Sequence, residues 1–182
     1  MSQKQLIMAI GNGGCRIVKS SALELDKVYV DTDPEVNEKY NGIRIGTEAC
    51  GKYSALGDVE LGRSAVLESA KEIEKIINKY DEIYIITSLS GGTSSGSTRE
   101  IAKICIELNK KVVVFAGLPF DFEGHRRTLM ANDSFKEISR ICEVKTVQYV
   151  QDRNYKGTIG NLFESQNHLV LALLEKYLNE EN

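Results

Sequence analysis

The sequence predicts an α/β domain built as a doubly wound, mainly parallel sheet. Three observations carry that reading. Short apolar runs alternate along the chain with longer segments whose apolar residues recur at helical spacing. The run Val112 to Ala116 is almost purely apolar, as in a strand covered on both faces. Turns dense in Gly, Ser, Thr and Asp follow the strands, which collects them at the carboxyl edge of a parallel sheet, where such sheets bind ligands.

In chain order, Gln5 to Ile10 reads as a strand, Gly11-Asn12-Gly13-Gly14 as a turn, and Arg16 to Leu25 as a helix. Lys27 to Asp31 is a second strand ending in the loop Asp31-Thr32-Asp33-Pro34. Residues 35–58 read as irregular, with a minor strand at Ile43 to Ile45. Val59 to Lys79 reads as one long helix, since Leu61, Ala65, Val66, Ala70, Ile73, Ile76 and Ile77 share a face. Glu82 to Thr87 is a strand, Thr98 to Asn109 a helix, Val112 to Ala116 a strand and Glu123 to Arg140 mostly helix. Thr146 to Val150 is the last strand and Ile159 to Leu178 the last helix.

At 182 residues the chain is long enough for one well-cored domain, and no linker or repeat divides it. A hydrophobic content of 42% with 27% charged residues is that of a soluble globular protein. The net charge of -3 argues against a nucleic-acid partner or an anionic membrane. No apolar run approaches the ~18 residues of a membrane span, and no signal peptide is visible. Cys15, Cys50, Cys105 and Cys142 lack zinc-type spacing, and a reduced cytoplasm is the expected location.

The richest segment is Leu89-Ser90-Gly91-Gly92-Thr93-Ser94-Ser95-Gly96-Ser97-Thr98, between a strand and a helix. Glycines let main-chain N–H groups converge on one concavity, and a helix N-terminus adds unsatisfied donors and partial positive charge. Phosphate fits such a cradle best. A serine nucleophile in this segment finds no GxSxG elbow and no matching acid near either histidine. A dinucleotide fingerprint fails too, because Arg16 stands where the third Gly of GxGxxG belongs.

Taken together, the strand-end segments resemble the tubulin/FtsZ superfamily. Ser90 to Gly96 is similar to its glycine-rich signature, GGGTG[ST]G, and Pro119-Phe120-Asp121-Phe122-Glu123-Gly124-His125-Arg126-Arg127 to its PFxFEGxxR segment. Gly11 to Ile17 resembles the first phosphate loop, Val30-Asp31-Thr32-Asp33 the second, and Gly57 to Arg63 the third with its helix. Gln151-Asp152-Arg153 fits the end of the sixth strand, and Leu162-Phe163-Glu164-Ser165-Gln166-Asn167 the start of the central helix. The seven segments occur in the family's order.

That resemblance implies the family's Rossmann-like nucleotide domain and a site for GTP or GDP, with Mg2+. Gly11, Asn12, Gly13, Gly14 and Cys15 would form the first phosphate loop, with Asp31 at the second. Ala55, Leu56 and Gly57 would face the terminal phosphate, and Ser90, Gly91, Gly92, Thr93, Ser94, Ser95 and Gly96 would hold the phosphates. The Thr93 and Ser95 hydroxyls would add donors or a magnesium contact. Glu123 would accept from ribose hydroxyls, Arg127 would reach the base or sugar, and the Asn167 amide would suit the guanine edge, with Pro119 and Phe163 also at the nucleotide.

Some residues depart from the family pattern. Cys15 replaces an Asn, Leu56 and Ser90 replace glycines, and Ser94 replaces a glycine at a cost of about 1 kcal/mol if the position needs positive φ. The family's central helix leads to a loop of catalytic carboxylates and a second domain, whereas this sequence stops at Asn182. With a polar back face on the last helix, the expectation is a single-domain homologue that hydrolyses GTP slowly. Its expected partners are a full-length FtsZ- or tubulin-like protein, or itself. The alternative is a non-enzymatic interaction module with a degenerate nucleotide site.

Overall fold

The computed structural model describes residues 3–148 and 156–181. Its elements run β1 (Gln5–Ile10), α1 (Gly11–Lys19), β2 (Asp26–Asp31), α2 (Val36–Tyr40), β3 (Ile43–Arg44), α3 (Val59–Glu68) and α4 (Ala70–Ile77). They continue as β4 (Glu82–Ser88), α5 (Gly92–Glu107), β5 (Lys111–Gly117), a 3-10 turn (Asp121–Glu123), α6 (His125–Ile138), β6 (Glu143–Val147) and α7 (Ile159–Glu181). The six strands form one sheet in the order β3-β2-β1-β4-β5-β6, and every pairing is parallel. The predicted fold class is therefore the observed one.

Period-two alternation divides the core. Leu6, Met8, Ile10, Ile83, Ile85, Val112 and Val114 face a layer containing Ala65, Val66, Ile73, Ile77, Ile101 and Cys105 from α3, α4 and α5. Ile7, Ala9, Tyr84, Ile86, Val113 and Phe115 face Cys15 and Val18 of α1 and Val170, Leu174 and Tyr177 of α7. Both faces of the central strands are covered, so their sequences read as continuous apolar runs.

Chain order places the functional edge. From β1 the chain moves outward to β2 and β3, then returns to lay β4 against the other side of β1. Such a reversal leaves a crevice beyond the carboxyl ends of the two central strands. Here β1 runs straight into α1, and β4 runs through Leu89-Ser90-Gly91 into α5.

Several boundaries differ from the sequence expectation. The helix expected from Arg16 begins at Gly11 and ends at Lys19, and the one expected from Thr98 begins at Gly92. The long helix 59–79 breaks at Ser69, whose Oγ accepts the Gly46 N–H at 3.1 Å while its carbonyl accepts the Glu72 and Ile73 N–H groups that open α4. Asp58 caps α3 by accepting from Glu60 and Leu61. Within the segment expected to be irregular, α2 forms and ends on Asn41 at φ 51. The last strand is Glu143–Val147 rather than 146–150; Val150 and Gln151 to Arg153 lie outside the described residues. On α7, Leu169 is 45% exposed, while Leu171 is buried. The buried seam centres on Val170 and Leu174, turned toward Leu171.

Candidate functional site

A cleft of about 380 Å³ opens at the switch point. Its floor is two helix N-termini. Neither α1 nor α5 carries a side-chain cap from its N-cap residue, and neither has an acid in its first turn. The first-turn N–H groups of a helix have no intrahelical acceptor, and the helix dipole makes that end electropositive. Two such ends meeting in one crevice form an anion cradle.

Close approach explains the glycines. Gly11 adopts φ +71, and a Cβ there would lie 3.1 Å from the Ser94 Cβ, so the starts of α1 and α5 touch at this point. A Cβ on Gly13 would meet Ser88 Oγ at 2.0 Å. The Ser94 hydroxyl accepts the Gly91 N–H at 3.2 Å, which fixes the entry into α5.

The phosphate-sized end is organised by the second strand. Asp31 is buried and accepts N–H bonds from Thr32 at 2.7 Å and Asp33 at 3.4 Å. Burial pushes its carboxyl above the usual carboxylate range, while hydrogen bonds from Thr32, Thr93 and Asp33 pull the other way. Asp33 is lowered instead, chiefly by the Glu35 N–H and then by Lys39. Thr32 Oγ1 lies 2.6 Å from Thr93 Oγ1 and accepts the Ala55 N–H at 2.9 Å.

The opposite end is wider and mixed in character. Glu123 Oε1 accepts the Phe120 N–H at 3.0 Å, and Oε2 accepts from Arg127 Nη1 at 2.5 Å. Phe163 stands edge-on to Phe120, with ring centroids 5.1 Å apart. Gln166 Nε2 donates to the Leu118 carbonyl at 2.7 Å, tying α7 to the segment after β5. Asn167 lines the same wall and has no side-chain hydrogen bond among the described residues.

Most of the sequence-predicted residues meet here. Gly11, Asn12, Gly13, Asp31, Leu56, Gly57, Ser90, Gly91, Gly92, Thr93, Ser94, Glu123, Arg127, Phe163 and Asn167 all line the cleft. Six do not. Gly14 packs under the Ile86 carbonyl, where a Cβ would come within 2.3 Å, and Gly96 packs on the Val59 carbonyl, where a Cβ would come within 2.1 Å. Cys15 is buried in the core beneath α1, and desolvation pushes its thiol up to about 12. Ala55 contributes its N–H to Thr32, Ser95 faces a different groove, and Pro119 is buried outside the lining.

The structure adds Arg16, Ile17, Asp33, Ser54, Ser88, Leu118 and Gln166 to the wall. Gln166 carried a readable signal, as the one amide in the centre of an apolar helical stripe. Ser94 lies in helix and is not among the residues at positive φ, so the strain expected there is absent. The strained residue is Leu56, at φ 48 and 74% exposed.

The GTPase-domain model of the tubulin/FtsZ family matches residues 5–149. The chain belongs to the tubulin/FtsZ family. It is 29% identical over 145 residues to the cell division protein FtsZ of Helicobacter pylori, covering 75% of this chain and 38% of that protein. Against the mitochondrial division protein fszB of Dictyostelium discoideum it is 28% identical over 150 residues, covering 78% and 41%. The chain thus spans about two fifths of these FtsZ-type relatives.

Among solved structures, an empty FtsZ dimer from M. jannaschii superposes with a TM-score of 0.86 at 22% identity, covering 94% of this chain and 53% of that one. A GTPγS-bound CetZ2 protofilament from Haloferax volcanii gives 0.83 at 20% identity, covering 97% and 58%. At these identities the superpositions establish the tubulin/FtsZ fold. No helix among the described residues is long and apolar enough to cross a membrane.

Proposed function

We propose that this chain binds GTP or GDP in the switch-point cleft and, by itself, turns GTP over slowly. The observation that carries the reading is the meeting of two uncapped, acid-free helix N-termini, α1 and α5, in one cleft. Polyphosphate suits that floor. The wider end suits a nucleoside: Glu123 accepts from sugar hydroxyls, Phe163 gives an apolar edge, and Asn167 offers both a donor and an acceptor to a base. Family relatives support guanine, since a solved CetZ1 is GDP-bound and a CetZ2 protofilament carries GTPγS.

Mg2+ fits the donor set. One carboxylate, Asp31, lies beside the hydroxyls of Thr32 and Thr93, and Mg2+ binds through one or two carboxylates plus phosphate oxygens and water. Ser95, whose hydroxyl was expected at this metal, faces away from it. Bound magnesium would neutralise phosphate charge.

What the cleft acids already do supports the slow-turnover reading. Asp31 accepts two backbone N–H groups, Asp33 is held by the Glu35 N–H and Lys39, and Glu123 is held by Phe120 N–H and Arg127. Each is thus already engaged in holding its own loop or helix turn, which supports a carboxylate from elsewhere as the base. A carboxylate brought by a second FtsZ- or tubulin-like subunit would complete the site, placing the protein with a cytoplasmic filament. Self-association is the other source of such a partner.

Calorimetry with GDP, GTP and ADP tests the binding, and phosphate release by the purified chain tests the turnover. Micromolar affinity for guanine nucleotides with weak ADP binding is expected. Absence of binding at millimolar nucleotide would instead establish a degenerate interaction module, a reading favoured by exposed, strained Leu56 on the cleft wall. Rapid, concentration-dependent hydrolysis would overturn the slow-turnover part alone.

A further inference from the structure

One face of α1 runs from the phosphate end of the cleft toward α7. Asn12 and Gly13 line the cleft at the start of that helix, and Arg16 lines it one helical turn on. Beyond Arg16 lies an outer groove of about 570 Å³ that includes Tyr40, Glu164 and His168. Arg16 and Asn167 line both cavities, so these two side chains flank the passage between them. None of the α5 floor residues Gly91 to Ser94 borders the outer groove, which puts Arg16 at the Asn167 end of the cleft.

Two arginines line the cleft. Arg127 is committed to the Glu123 carboxylate. Arg16 is exposed and makes no ion pair or side-chain hydrogen bond among the described residues. The Asn167 amide carries a donor and an acceptor, so by itself it serves either purine. Guanine presents two acceptors side by side, O6 and N7, whereas adenine presents N7 beside an amino donor. A guanidinium holds only donors, in a planar fork that matches a pair of acceptors. Resting on the nucleotide reading above, we propose that Arg16 selects guanine over adenine, its fork donating to O6 and N7 while Asn167 takes the N1–H and 2-amino edge. Before adenine the same fork meets an amino group, donor against donor.

Calorimetry of the whole chain with GDP, 7-deaza-GDP, ADP and pyrophosphate tests this. 7-deaza-GDP keeps O6 but carries C–H in place of N7. The parent should bind GDP at least ~10-fold more tightly than ADP and at least ~3-fold more tightly than 7-deaza-GDP. Arg16→Ala should weaken GDP at least ~10-fold, erase the difference between GDP and 7-deaza-GDP, and leave ADP and pyrophosphate within ~2-fold. Arg16→Gln replaces the fork by an amide, which suits adenine N6 and N7, and should lower the GDP-to-ADP preference at least ~10-fold. Arg16 is exposed and unpaired, so both variants should melt with the parent. The inference is overturned if folded Arg16→Ala keeps the parent's preference for GDP over ADP. It is equally overturned if GDP, ADP and pyrophosphate weaken together, which would place Arg16 on phosphate. A parent that binds none of the nucleotides at millimolar concentration would overturn the nucleotide reading itself, and this inference with it.

Discussion

Thr32 Oγ1 and Thr93 Oγ1 lie 2.6 Å apart across the floor of the cleft, and Thr32 also accepts the Ala55 N–H at 2.9 Å. One buried hydroxyl therefore joins the end of β2, the start of α5 and the 54–58 loop. These are the segments that carry Asp31, Thr93 and Leu56 to the cleft. Thr32→Ala removes both bonds and leaves a buried N–H at Ala55, at a cost of about 1–3 kcal/mol. Thr32→Ser keeps the hydroxyl and should recover most of the loss. Urea melts of the two variants check this, and equal destabilisation by both would show that the methyl group rather than the hydrogen bonds matters.

Ser94 and Leu56 both stand where the family pattern has glycine, and the structure gives them opposite signs. Ser94 sits in the first turn of α5, away from positive φ, with its hydroxyl on the Gly91 N–H. Ser94→Gly should destabilise the chain by about 1 kcal/mol, through lost helix propensity and the lost bond. Leu56 is at φ 48 and 74% exposed, so Leu56→Gly releases about 1–2 kcal/mol of left-handed strain. Higher chain entropy in the unfolded state returns about 0.4–1 kcal/mol of that. A small net stabilisation is expected, and a melt in which Ser94→Gly gained stability while Leu56→Gly lost it would contradict both assignments.

The Asp31 carboxyl makes stability depend on pH in a direction opposite to that of most acids. Burial raises its folded-state pKa above the unfolded value, so in the interval between the two the folded chain binds the extra proton. Its contribution is fully present below the unfolded pKa and is lost as pH rises through the folded pKa. Asp33 runs the other way: its lowered pKa supplies stability above the unfolded value that is lost as pH falls through the folded one. Asp31→Asn, which still accepts from Thr32, should abolish the fall in stability on the alkaline side of the Asp31 titration. Chemical denaturation across the acid range compares the variant with the parent. An unchanged pH profile in the variant would assign the effect to another group.

The sheet was readable because its central strands are covered on both faces and their sequences say so; Ile83 to Ile86 and Val112 to Ala116 are continuous apolar runs. The helix starts were not. Gly11 to Gly14 and Gly91 to Gly96 have the composition of loops, since glycine and serine are weak helix formers. Tertiary contact overrides that propensity: α1 and α5 pack so closely on the sheet and on α3 that a Cβ at Gly14 or Gly96 would collide with a backbone carbonyl. The same glycines were read as cradle residues, when their smallness serves packing. Cys15 was misplaced for a related reason, because a helix beginning at Gly11 turns that side chain into the core. What could not be read at all was the contact of Thr32 Oγ1 with Thr93 Oγ1, since its two partners come from distant segments.

Gln166 shows how a polar residue in an apolar stripe earns its place. It is 6% exposed between Leu162 and Val170 on the buried face of α7, and its Nε2 donates to the Leu118 carbonyl at 2.7 Å. Gly117 makes room for it; a Cβ there would lie 3.2 Å from Gln166 Oε1. The bond sets the position of α7 against the end of β5, and with it the position on the cleft wall of Phe163, one turn before it, and of Asn167, the next residue. Gln166→Leu keeps the volume but strips the Leu118 carbonyl of its partner, costing about 1–3 kcal/mol. Gln166→Glu retains an acceptor and loses the donor, so it should cost at least as much at neutral pH, where two oxygens face each other. Both variants should also weaken GDP binding through Asn167, without altering the affinity for inorganic phosphate at the helix N-termini. Calorimetry with each ligand separates the two ends of the cleft, and equal loss of GDP and phosphate binding would mean that Gln166 supports the fold as a whole rather than the α7 wall.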